Sequence, residues 1–384
     1  MKLYVGALHY LRGFGVSAAA ICLAAWLLPA APVLSASPDF GVSGGPVHLI
    51  VGYQPYATEY WSAVVMRGKK FYEKYLPKGS RVEFRTALQG STIVNGMLAG
   101  AIHIGYLGHA PAVIATTAPE AADIRLVAVA GMGSDMCNVL LVRKDAPSFA
   151  SAADAIRWLD GKKVAAPKGS CADQFAQAMF AKANVKPASY KTLNIEAIAV
   201  YLKEGKLDAA AMWEPTASKL VIAGNARRGA SGVSVNERDG GFVAMRADLI
   251  GQRPDVVRAW LQAELDAQLF LAEESNAAEV ARIAGEQTGG FPDRALWFSL
   301  YGRYPDSAGG TATRMLLPYA FTPEAMELLR SATAFLYGSK RINVDRLRPE
   351  AVAPEFALEV LKARKLAPPV GGVNALADTA YKGR

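Results

Sequence analysis

From Val47 onward the chain alternates short apolar runs of strand composition with segments whose apolar residues recur at helical spacing. Strand-like runs fall at 47–52, 81–87, 102–107, 125–130, 138–143 and 163–166. Between them lie Thr92–Leu98, Ala110–Thr117, Ala152–Trp158 and Cys171–Lys182, each with one apolar face at the 3.6-residue period. Parallel neighbours in a sheet need a crossover of about a dozen residues, which a helix supplies. The alternation therefore predicts an α/β fold with mostly parallel sheets. Further on, the pattern predicts a helix over 195–203 and strands over 207–212 and 241–246. An almost wholly helical tail then runs from Pro254 to about Arg364, opened by Arg253-Pro254-Asp255 with proline in the first turn. Residues 365–384 are rich in Gly, Pro and Ala and are expected to be loosely ordered.

Two α/β layers follow from this order. Residues 47–137 build lobe one, 138–239 build lobe two, and 240–364 return the chain to lobe one. A chain that leaves one lobe and comes back gives two lobes joined by a hinge, with a cleft between them where ligands bind.

The start of the chain has a different composition. Lys2 and Arg12 precede an apolar stretch from Val16 to Leu34, which ends in Ser35-Ala36-Ser37-Pro38. That is the order of a secretory signal, expected over residues 1–36, and it places the mature protein in the periplasm. Pro29 and Pro32 break the second half of the stretch and weigh against a spanning helix. Without this segment the chain keeps 40 bases against 34 acids. The charges are interspersed and no basic stripe alternates with aromatics, so nucleic acid is not an expected partner. Cys137 and Cys171 remain, and an oxidising compartment allows them either a disulfide or two buried thiols.

Short glycine-containing turns open several helices at the carboxyl ends of the expected strands: Gln89-Gly90-Ser91-Thr92, Gly108-His109-Ala110-Pro111 and Gly169-Ser170-Cys171-Ala172-Asp173. The last reads as a capping box, Ser170 accepting from the Asp173 amide while Asp173 reaches back. A helix amino terminus offers free N–H groups and about half a positive charge, so turns of this kind facing one cleft favour an anion. The crevice at the strand ends is where open α/β sheets bind ligands.

Taken together, "VGYQPY", "GSTIVNGMLAGAIHIGYLGHAPAVIA", "KKVAAPKGSCADQFAQAMF" and "YLKEGKLDAAAMWEPTASKL" resemble the periplasmic solute-binding proteins of ABC importers, in the nitrate, taurine and alkanesulfonate family. The resemblance runs from about Val47 to Leu361. It implies a two-lobed, type II binding fold that closes on its ligand by a hinge and hands it to an inner-membrane permease with its ATPase. No cofactor or metal is implied. Position by position, it implies ligand contacts from Gln54, Pro55, Tyr56, Gly90, Ser91, Gly108 and His109 in lobe one, and from Gly169, Ser170, Cys171, Trp213 and Glu214 in lobe two. Cys171 stands where many relatives carry a hydroxyl.

Tyr53, Tyr56, Tyr60, Trp61, Tyr106 and Trp213 would give such a cleft an aromatic lining, with Tyr60 and Trp61 the first to be assigned to the core instead. An organic anion or zwitterion, such as a sulfonate, a taurine-like molecule or an aromatic acid, suits that lining better than a bare inorganic ion. Glu214 either pairs with Lys168, Lys219 or Arg143, or meets an ammonium or hydroxyl group of the ligand.

Catalytic patterns are sparse. HExxH, CxxC, GxxxxGK and GxGxxG do not occur, and "GVSGG" at 41–45 precedes the first strand, so it lacks the geometry of a serine elbow. Cys171 at a helix start, with His109 as base, is the one nucleophile arrangement to be weighed. The alternatives to a transport role are an enzyme on the same fold, of the kind that makes the thiamin pyrimidine precursor, and a sensor that binds without transport.

Overall fold

The computed structural model describes residues 38–382. The signal segment expected over 1–36 lies outside the described residues, and no helix among those described is long and apolar enough to cross a membrane.

In chain order the strands are β1 (His48–Tyr53), β2 (Arg81–Thr86), β3 (Ile104–Gly108), β4 (Ile124–Gly133), β5 (Val139–Arg143) and β6 (Lys163–Ala166). They continue with β7 (Ser189–Thr192), β8 (Ala209–Met212), β9 (Ala226–Ser231), β10 (Asp239–Arg246), β11 (Thr313–Leu317) and β12 (Gly371–Asn374). One sheet has the order β12-β11-β4-β10-β3-β1-β2 and the other β7-β6-β8-β5-β9. The inner strands are apolar on both faces: every residue of β3, β8 and β10 is buried, as in a sheet covered by helices on each side.

The sheets are mixed, where mostly parallel ones were expected. Strand β1 runs parallel to β2 and β3, and β6 runs parallel to β7 and β8. In contrast, β10 is antiparallel to β3 and β4, and β5 is antiparallel to β8 and β9. The reason is topological. Strand β10 returns from the other sheet and inserts between β3 and β4 against their direction, while β5, the first strand of the five-stranded sheet, is later flanked by β8 and β9 running the opposite way.

The passages are residues 134–138 and 232–238. Asp239 ties them together: its Oδ2 accepts the N–H groups of Met136, Cys137 and Asn138 at 3.0, 2.8 and 3.0 Å. At Gly232 the two passages nearly touch, so that a Cβ there would stand 2.5 Å from the Ser134 carbonyl oxygen. Cys137 is bonded to Cys171, with the Cα atoms 6.0 Å apart, which fixes the first passage to the start of helix Cys171–Ala183.

Two expectations for the end of the chain are corrected. The region after Pro254 is not wholly helical, because β11 pairs with β4. Nor is the segment after 364 loosely ordered: β12 pairs with β11, Val373 is buried, and the Val370 N–H donates to the Leu317 carbonyl. Small residues are what allow this strand to lie flat along the sheet edge; a Cβ at Gly371 would stand 2.8 Å from Ala272 Cβ.

Candidate functional site

Helix Gly90–Leu98 starts after β2, and helix Cys171–Ala183 starts after β6. Their amino termini face one cavity of about 210 Å³, which Gln89, Gly90, Ser91 and Asn95 line from the first helix and Lys168, Gly169 and Ser170 from the second. At the first terminus the cap residue Gln89 is extended and its side chain makes no capping bond, so the Gly90 and Ser91 N–H groups open the helix with no i−4 carbonyl to receive them. Gly90 is required by packing, since a Cβ would lie 2.6 Å from Pro111 Cγ.

The second terminus is capped from within. Ser170 Oγ accepts from the Asp173 N–H at 3.2 Å and donates to the Pro167 carbonyl at 2.6 Å. The Asp173 carboxylate reaches back to the Gly169 N–H at 2.8 Å, one residue before the position the capping box predicts. Gly169 has φ +66°, with no atom near the place a Cβ would occupy, so its backbone faces open space.

Two cations complete the wall. Lys168 and Arg341 both line the cavity with exposed side chains, and neither has an ion-pair partner among the described residues. Trp213 lines it too, buried, with its Nε1–H unpartnered among the described residues. The cavity therefore gathers the start of one helix from each sheet's side, two free cations and an idle indole donor.

The remaining residues singled out in the sequence lie elsewhere. Gln54 is buried behind Gly90, its amide donating to the Tyr60 hydroxyl. The Pro55 carbonyl accepts from Trp61 Nε1 at 2.9 Å. Gly108 caps helix His109–Ala115 and faces Glu59: a Cβ would stand 3.3 Å from Glu59 Oε1. His109 is buried, and burial drives its pKa down to about 4 against the opposing pull of Gln174 and the Gly240 backbone. It is neutral at neutral pH and offers an anion no charge. Cys171 has no free thiol, which removes the nucleophile reading.

Glu214 pairs with neither Lys168, Lys219 nor Arg143. It is fully buried, with Oε2 accepting the Ser218 N–H at 2.8 Å and Oε1 facing Arg228 and Arg314 at 3.7 and 3.9 Å. The reason is that the peptide turns inward after β8, toward a buried group of charges that also holds Asp135, whose Oδ2 lies 3.1 Å from Arg228 and 3.2 Å from Arg314. Burial still pushes the Glu214 carboxyl up, against the pull of both guanidinium groups.

The aromatic lining is narrower than expected. Tyr53, Tyr60, Trp61 and Tyr106 are core residues; Tyr106, for instance, donates to Glu264 at 2.7 Å and accepts from Trp260 at 3.2 Å. Of the six, Trp213 lines this cavity and Tyr56 a different one. Sequence reasoning named Lys168 only as a partner for Glu214, although it directly precedes Gly169. Arg341 carries no local signal, because the end of helix Pro323–Gly338 brings it to the cavity from far along the chain.

Two mixed sheets, a double passage and a cavity between the two sets of helix starts define the two-lobed solute-binding fold. The chain belongs to the NMT1-like family, whose profile matches residues 44–285. It is 25% identical over 263 residues to the taurine-binding periplasmic protein of Escherichia coli (strain K12), covering 64% of this chain and 76% of that protein. Among solved structures it resembles the alkanesulfonate-binding protein SsuA from Xanthomonas axonopodis pv. citri bound to MOPS, with a TM-score of 0.63 at 20% identity, covering 80% of this chain and 99% of that one. The desulfurization enzyme DSZB shares the fold as well, with a TM-score of 0.55 at 16% identity over 83% of this chain and 99% of that one.

Proposed function

We propose that the chain is the extracytoplasmic substrate-binding component of an ABC importer, which captures a small organic anion or zwitterion between its lobes and delivers it to an inner-membrane permease and its ATPase. The periplasm is its place of work. The observation that carries this reading is the cavity where Gly90 and Ser91 meet Gly169 and Ser170, flanked by the unpaired Lys168 and Arg341. Free N–H groups at a helix start bind anions without displacing any internal partner, and unpaired guanidinium and ammonium groups add charge-assisted bonds. Similarity to the taurine-binding protein supports a sulfonate as the head group. With Cys171 held in a disulfide, its thiol is not available as a nucleophile.

Thermal unfolding in the presence of methanesulfonate, taurine, nitrate and benzoate tests the reading. At least one should raise the melting temperature, since a ligand at 100 times its Kd adds about 2.7 kcal/mol. No shift with any of the four would overturn it.

A further inference from the structure

A second cavity, of about 350 Å³, has a chiefly carbon lining. Tyr56, Leu88 and Phe291 reach it from the first lobe's side, and Ile195, Lys219 and Leu220 from the second. The two cavities are neighbours along the chain, since Leu88 lines one and Gln89 the other. Leu88 is 47% exposed.

The rings are held and left partly uncovered. Phe291 lies 5.8 Å from Tyr56, tilted at 47°, and Lys219 Nζ stands 4.3 Å from the centre of the Phe291 ring. That cation–π contact joins the two sides of the cavity and spends the Lys219 charge on a ring instead of a carboxylate. An aromatic guest would complete a cluster that the protein leaves open, in the tilted or edge-to-face geometry such rings prefer.

Resting on the reading that the neighbouring cavity takes an anionic head, we propose that this second cavity takes the body of the same ligand, so that the ligand class is an aryl-bearing monoanion, an arylsulfonate or aryl carboxylate, and not a short alkyl acid. Isothermal titration of naphthalene-2-sulfonate and methanesulfonate tests it on the wild type, on Phe291→Ala and on Leu88→Ser, the last at an exposed position that folding does not need. The arylsulfonate should bind the wild type at least about tenfold more tightly, and each substitution should cut that advantage to about threefold or less. Equal affinities in the wild type, or an advantage that survives both substitutions, would overturn the proposal. Failure of the anion reading looks different: an arylsulfonate preference that both substitutions abolish, together with binding of either sulfonate that is indifferent to Lys168→Ala.

Discussion

Glu59 has one carboxylate oxygen without a partner and lies within 4.8 Å of both sulfurs of the Cys137–Cys171 bridge. Burial, helped by the charge of Asp239, raises its pKa from the ordinary 4.5 to about 8. Asp239 moves the same way, to about 6, as burial outweighs its three backbone donors. A raised acid binds its proton more tightly in the folded state, so stability is greatest below the ordinary value and falls as pH rises toward the folded value. Urea unfolding of the wild type should therefore lose more stability between about pH 5 and pH 8 than unfolding of Glu59→Gln does. Equal losses in the two proteins would contradict the assignment. At this scale the sequence was readable where chemistry is local. Gly90, Ser91, Gly169 and Ser170 announce helix starts, and Gly169 and Ser170 have partners in their own turn, Asp173 and Pro167, that explain them. Glu214 was not readable in the same way: its partners Arg228 and Arg314 lie in β9 and β11, and only the folded chain brings them to it.

Helix Cys171–Ala183 owes its position to its own capping turn and to the covalent link with Cys137. The two cysteines are 34 residues apart, and closing a loop of that size stabilises a protein by about 2–4 kcal/mol. The Cys137→Ser/Cys171→Ser double variant should fold with its urea midpoint lowered accordingly, whereas an unchanged midpoint would mean that the bridge does not form in the exported protein. The long elements were legible because each carries an apolar face several residues wide. The missed strands share a different property: β7 ("SYKT"), β9 ("ARRGAS") and β12 ("GGVN") all lie at sheet edges. An edge strand has a neighbour on one side only, so it can be polar or glycine-rich and leave no alternating pattern to read. Strand β11 was hidden for another reason, as it stands alone between long helices in a region whose periodicity is helical.

Across the whole molecule, alternation of strand and helix gave the α/β architecture, but it could not tell parallel from antiparallel neighbours, because direction depends on which strands follow a passage between sheets. Nor could it show how the sheets are joined. Arg314, on β11 of the seven-stranded sheet, meets Asp135 in the first passage and Glu214 beside the five-stranded sheet, and both acids are fully buried. Replacing Arg314 by Met leaves two fully buried carboxylates to share Arg228 alone and should cost about 3–5 kcal/mol in chemical unfolding; a loss within the range of surface substitutions would show that the charges are not coupled. The central claim concerns the space those joints hold open. It is tested most directly by calorimetric titration of a ligand that stabilises the wild type into the Lys168→Ala/Arg341→Ala double variant. Loss of the two unpaired cations should weaken binding at least about tenfold while leaving the melting temperature of the free protein unchanged. Wild-type affinity in the double variant would place the anion somewhere other than between the two helix starts.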